Sequence, residues 1–139
     1  MKLYVLDTNV LVSFQEGDAT VCAKVLGRPM DELATTVITV EEQLSGWYTL
    51  LRRAKNAEQL SRTYQRLADT VLLFARFQLL SFTELAIARF EYLKTLKLGV
   101  KHMDLRIAAI AVEFGGTVVT ANTTDFRDIP ELDIEDWSQ

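Results

Sequence analysis

One cysteine, one histidine and two prolines are all that 139 residues contain of these types. A lone Cys22 excludes an internal disulfide, so the fold must be held by its core, and the thiol reads as a small buried hydrophobe in a reducing, cytoplasmic setting. With only Pro29 and Pro130 there is no Pro-rich linker. No repeat or low-complexity tract divides the chain either, and residues 1–139 are expected to form one domain. Long apolar runs are also missing. Val71-Leu72-Leu73-Phe74-Ala75 stops at Arg76, far short of the ~18 residues of a membrane span. Asp7 interrupts Leu3-Tyr4-Val5-Leu6 before a secretory signal is complete. Neither export nor a membrane segment is expected. The remaining balance, 49% hydrophobic and 24% charged, is that of an ordinary globular protein.

An excess of positive charge is absent too. The formal net charge is -4, which on the sum alone counts against a nucleic-acid ligand, because phosphate is held mainly by Lys and Arg. Distribution alters that reading. Between Leu51 and Arg66 stand Arg52, Arg53, Lys55, Arg62 and Arg66 against Glu58 alone, whereas from Asp125 onward five further acids face only Arg127. Arg52, Arg53 and Lys55 are candidate phosphate contacts; a solvated helix face is the plainer reading of the same stretch.

The apolar run at Leu3–Leu6 predicts a buried strand ending at Asp7, with a helix from about Asn9 to Phe14 after it. Gly17-Asp18 breaks the pattern, a helix follows over Ala19–Leu26, and Gly27-Arg28-Pro29 stops it. Ala34–Thr39, β-branched at nearly every position, predicts a second strand, with Thr39 capping a helix that opens on Val40-Glu41-Glu42. Leu60, Tyr64, Leu67, Val71 and Phe74 recur at spacings of three and four, which predicts the second arm of a helical hairpin from Glu58 to about Phe77, turning at Asn56-Ala57. Gln78-Leu79-Leu80 is a short strand. Ser81-Phe82-Thr83-Glu84 has the form of a capping box for a helix running to Leu98. A last helix spans about Met103–Phe114, ends at Gly115-Gly116, and leads into a strand at Thr117–Thr120. Strands alternating with helices imply an α/β domain, a three-layer α/β/α sandwich around a central, mostly parallel sheet. Its ligands should collect outside the carboxyl ends of the strands.

Four acids map to that edge. Asp7 follows the first strand, where it is also placed to cap a helix. Glu42 lies one turn before Gly46 near the start of the next helix, beside an equally acidic Glu41. Asp104 sits in the first turn of a helix on one stripe with Ala108 and Ala111, with capping as its alternative role. Asp125 follows the last strand, where a plain loop residue is the alternative. Their convergence is what carries weight. Carboxylates crowded together raise one another's pKa values, and divalent cations make the crowding tolerable. Oxygen donors without a usable Cys and with one His select Mg²⁺ or Mn²⁺ over Zn²⁺, which leaves His102 structural or exposed.

Leu6-Asp7-Thr8-Asn9-Val10-Leu11, Ile38-Thr39-Val40-Glu41-Glu42-Gln43-Leu44-Ser45-Gly46, Asp104-Leu105-Arg106-Ile107-Ala108-Ala109 and Val119-Thr120-Ala121-Asn122-Thr123-Thr124-Asp125-Phe126, taken in order, resemble the successive signatures of PIN-domain ribonucleases. In a chain of this length they are similar to the VapC toxins of bacterial and archaeal toxin-antitoxin pairs. The resemblance implies that Asp7, Glu42, Asp104 and Asp125 form a quartet holding one or two Mg²⁺ or Mn²⁺ ions. It makes Thr8, Asn9, Thr120 and Asn122 the polar residues that support the quartet. Glu42 is chosen over Glu41 because the family's glutamate lies four residues before the glycine that Gly46 matches. The implied activity is metal-dependent cleavage of RNA, with Asp7 and Asp104 as direct ligands, Glu42 and Asp125 on a second ion or the attacking water, and Asn9 and Thr120 orienting carboxylates. The implied partners are an antitoxin protein and a second copy of the chain, both engaging the helical hairpin. A PIN-domain RNA-processing nuclease outside any toxin system, and an inactive PIN binding module, are the alternatives. A phosphatase of the haloacid-dehalogenase type, which also begins with an Asp after a strand, needs a second Asp where this chain has Asn9.

Overall fold

A computed structural model describes residues 2–139. In chain order the elements are β1 (Tyr4–Leu6), α1 (Thr8–Gln15), α2 (Ala19–Leu26), β2 (Leu33–Thr36), α3 (Val37–Arg53), α4 (Ala57–Phe74), β3 (Gln78–Leu80), α5 (Glu84–Thr95), α6 (His102–Glu113), β4 (Thr117–Val119), α7 (Thr123–Phe126) and β5 (Asp133–Glu135). The strands form one sheet in the order β3-β2-β1-β4-β5. Every neighbouring pair is parallel, so the expected mostly parallel sheet is parallel throughout.

The short strands suffice because both faces of the sheet are covered. Val5 stands in register with Ala34 on one side and Val118 on the other. These three pack on one face with Phe90 and Leu93 of α5 and with Ile107, Ala108 and Ala111 of α6. The alternate residues, Tyr4, Leu6, Leu33 and Val119, point to the opposite face. There they meet Val10, Leu11 and Phe14 of α1, Phe74 of α4, and Trp137. The alanines of α6 let it approach closely, and Gly116 extends that approach to the chain beyond. A β-carbon on Gly116 would lie 2.8 Å from Val5 Cγ2 and 3.3 Å from the Leu3 carbonyl oxygen.

Several boundaries differ from those expected. β2 ends at Thr36, and the Thr36 hydroxyl, rather than that of Thr39, accepts from a first-turn amide, that of Thr39, at 3.2 Å. The β-branched run Val37–Val40 is therefore helical, because the helix buries Ile38 and Thr39, and tertiary burial outweighs strand propensity. The α5 cap is Thr83, which accepts from the Ala86 amide at 3.2 Å. Ser81 lies before the turn, so the capping box is not formed. On α4 the expected core stripe is largely outside the core: Leu60, Tyr64 and Val71 are 41%, 55% and 55% exposed, and Phe74 alone of the five is buried. The spacing identified an apolar face correctly, but nothing among the described residues covers it. The sequence reading also missed α7 and β5.

Because the atoms that crowd Gly116 belong to a buried β-branched side chain and to strand backbone, Gly116→Ala should cost about 1–3 kcal/mol. The check is urea denaturation, where the midpoint should fall with the slope unchanged.

Candidate metal-binding active site

Because the sheet is wholly parallel, the carboxyl ends of β1, β2 and β4 share one rim, and α6, which runs back toward β4, starts on that rim. A cavity of about 380 Å³ opens there, lined by Asp7, Glu42, Asp104 and Asp125 together with Thr8, Asn9, Asn122, Lys101 and His102. The structure thus brings all four expected acids to one cavity from four separate segments.

Asp7 is both the helix cap and the most enclosed acid. Its Oδ1 accepts from the Val10 amide at 2.9 Å, and its own amide donates to the Val119 carbonyl at 3.0 Å. The carboxylate, on a residue only 5% exposed, is also bonded by the Thr120 hydroxyl and the Asn9 amide. Thr120 is oriented for this, since its oxygen accepts from the Asn122 amide at 2.9 Å, leaving its proton for Asp7. Burial nonetheless holds the Asp7 carboxyl above its ordinary value of 3.8, and Glu42 adds to the upward shift, against the pull of these hydrogen bonds.

The two neighbouring glutamates separate cleanly. Glu41 is exposed and lies outside the cavity, whereas Glu42 is half-buried and accepts from the Thr8 hydroxyl through Oε1 at 2.8 Å. The Thr39 hydroxyl stands 3.2 Å from that of Thr8 and extends the chain of contacts. Asp104 is the third residue of α6. Lys101 holds the cap position without a side-chain bond to the helix, so Asp104 is not a cap. Burial raises its carboxyl above 3.8, followed by repulsion from Glu42, Asp125 and Asp7, while Lys101 opposes the shift. Asp125 is carried on α7, whose turn is closed by its amide donating to the Asn122 carbonyl at 3.0 Å. Its side chain faces the cavity from an exposed position.

Arg52, Arg53 and Lys55 do not reach this cavity. They sit at or just past the end of α3, ten or more residues beyond Glu42, which is on the order of 15 Å along a helix. The cation that does line it, Lys101, was not singled out from the sequence, and His102, expected to be structural or exposed, lines it as well. Their signal was position: they open the helix whose first turn carries Asp104. His102 is exposed and edge-on to Phe90, with ring centroids 5.9 Å apart.

Among the described residues, no three Asp, Glu, His or Cys side chains come close enough to hold one ion as they stand. The donor chemistry fits a hard divalent cation all the same. All the acidic donors are oxygen, and the repulsion of Asp7 by Glu42 and of Asp104 by Glu42, Asp125 and Asp7 is an accumulation of negative charge that a divalent cation would offset.

The raised carboxyls set a pH dependence. The folded state binds protons at Asp7 and Asp104 more readily than the unfolded chain does. Their relative contribution to stability is therefore greatest below 3.8 and is lost as pH rises through the raised folded values. At neutral pH both charges oppose folding. Asp104→Asn should accordingly raise the thermal midpoint of the metal-free protein. The gain should shrink as the solution is acidified, and circular dichroism melts across pH would detect both trends.

Known proteins of this architecture bear on the site. No curated protein matches the chain in sequence, but solved structures match its fold over nearly all of it. A chain of VapBC2 from Rickettsia felis, bound to a DNA fragment from their promoter, superposes with a TM-score of 0.78 at 22% identity, covering 97% of this chain and 98% of that one. A chain of DNA-bound VapBC from Salmonella typhimurium gives 0.76 at 24%, covering 99% of both. A chain of FitAcB from Neisseria gonorrhoeae gives 0.71 at 26%, covering 95% and 96%. The family model described as PIN domain matches residues 4–132, and the chain belongs to the PIN-domain family.

Proposed function

We propose that this protein is a Mg²⁺-dependent endoribonuclease and the toxin of a VapBC-type toxin-antitoxin pair, acting in the cytoplasm. The observation that carries the reading is the convergence of Asp7, Glu42, Asp104 and Asp125 on one cavity at the strand ends of a PIN-domain fold. Asp7 and Asp104 would hold Mg²⁺ or Mn²⁺, with Glu42 and Asp125 completing the set. When bound, such an ion neutralises charge at the scissile phosphate and makes water a stronger nucleophile at neutral pH.

The protein's own part is positioning. Thr120 and the Val10 amide fix the Asp7 carboxylate, and Thr8 holds one oxygen of Glu42, leaving the other free to face the cavity. Asn9 and Asn122 offer amides at the cavity wall, and Lys101 offers a cation to an RNA phosphate beside Asp104. The partner reading is supported by solved structures of similar fold whose names describe a toxin-antitoxin complex or a member of a toxin-antitoxin family. It is supported as well by the uncovered apolar face of α4 at Leu60, Tyr64 and Val71, a place for an antitoxin to bind. Leu85 and Tyr92 on the outer side of α5, 71% and 56% exposed, supply a further apolar surface suited to a second copy of the chain. No helix of the described residues is long and apolar enough to cross a membrane.

Two measurements test the activity. Purified wild type should cleave structured RNA in Mg²⁺ and stop in EDTA, while Asp7→Asn and Asp104→Asn should lose activity by on the order of a hundredfold or more. Asn can still cap α1, so the loss at position 7 should come without unfolding. Full activity in both variants, or none in wild type, would sink the reading. Thr8→Val, which removes the hydroxyl's bonds to Glu42 and Thr39, should lower kcat by roughly 10–100-fold while lowering the melting temperature only slightly.

A further inference from the structure

A larger cavity, about 610 Å³, opens beside the carboxylate cavity and shares Glu42 with it. Its walls are α1 through Gln15, α3 through Gln43, Gly46 and Trp47, and α4 through Arg66. Gly46 lies in the interior of a 17-residue helix, where glycine weakens helical structure. Its φ is not positive, and a β-carbon built there meets nothing within 4 Å. Neither backbone geometry nor close packing requires glycine at this position. What the missing side chain leaves is open volume in the groove.

Beside that volume stands a fixed aromatic ring. The half-buried Trp47 donates its indole N–H to the Thr70 hydroxyl at 2.8 Å, and that hydroxyl in turn donates to the Arg66 carbonyl at 2.9 Å. The Arg66 guanidinium lies 5.9 Å from the ring centroid. Among the described residues, Arg66 forms no salt bridge, and the side-chain amides of Gln15 and Gln43 have no hydrogen-bond partner. The groove therefore offers uncommitted donors and acceptors around a rigid apolar plane. Glu16, Glu42 and Asp69 outweigh Arg66 in charge, which disfavours a phosphate inside it and suits a neutral planar group with a polar edge. Nucleobases have that chemistry: they stack on aromatic side chains and present edges that amides bind in pairs.

We propose, building on the ribonuclease reading, that this groove takes the nucleobase adjoining the scissile phosphate and selects which bonds are cut. A nucleotide whose phosphate lies at the carboxylates would extend past Glu42 into the groove. Its base would pack over Gly46 against Trp47, with Gln15 and Gln43 at its edge.

The test uses the full chain with Mg²⁺ and short RNAs in which each base flanking the cut is varied in turn. Gly46→Leu fills the groove and leaves the four acids in place. It should raise KM about tenfold, as expected for loss of one stacked base, and flatten the base preference of wild type, while melting no lower. Gln43→Ala, which removes a side chain that bonds nothing, should relax the preference as well, and it serves if Gly46→Leu folds poorly. If wild type cuts no RNA, the ribonuclease reading falls and this proposal falls with it. If wild type cuts RNA while both variants keep its KM and preference, the base site alone is overturned. Unchanged cleavage by Gly46→Leu with weakened inhibition by a protein partner would also overturn it, by assigning the groove to that partner.

Discussion

A carboxylate at the end of a fully buried central strand has to be compensated, and at Asp7 the compensation comes from several parts of the fold at once. The Val10 amide at the start of α1 supplies one hydrogen bond, and the Thr120 hydroxyl beyond β4 supplies another. The pairing of β1 with β4 also ends in the bond from the Asp7 amide to the Val119 carbonyl. The start of α1, the exit from β4 and the orientation of Thr120 are thus all tied to one side chain. Burial still wins over these bonds, since the carboxyl remains above its ordinary range. The fold tolerates that energetic conflict at the centre of its rim, as functional sites commonly do.

The other acids extend the conflict without burying further charge. Glu42 is anchored by Thr8, Asp104 rides on a helix packed into the core through its alanines, and Asp125 sits on a short helix at the surface. Burial therefore decreases from Asp7, through Glu42 and Asp104, to the exposed Asp125. The four acids line one cavity without crowding round a single point as they stand.

Much of this was legible in the sequence, for physical reasons. Parallel strands covered on both faces read as short apolar runs, and such a sheet places its site at one predictable rim. Alternation of strands and helices, followed to that rim, was enough to gather Asp7, Asp104, Asp125 and the pair Glu41-Glu42, and the resemblance to PIN-domain signatures chose Glu42 of the two. Boundaries were less legible where two threonines compete for one cap, as at Thr36 and Thr39, because propensity does not register which residues a helix will bury. Periodicity located the apolar face of α4 but could not say whether the chain itself would cover it. β5 was missed because Asp133-Ile134-Glu135 offers a single apolar residue among acids. The C-terminal acidic run carried no sequence sign of how it packs, yet Trp137 is buried against Tyr4, with ring centroids 5.2 Å apart, and Arg28 lies 4.2 Å from the Tyr4 ring centroid.

That acidic last strand also answers a problem every open sheet faces. β5 is an edge, and its outer side presents unpaired backbone groups to which another chain could add a strand. With three residues, two of them negatively charged, it is too short and too repulsive to serve as a template. Two copies approaching edge to edge would bring like charges together before any ladder could form. The acids of β5 thus oppose strand addition at that edge of the sheet, whereas the opposite edge, β3, carries no charge of its own.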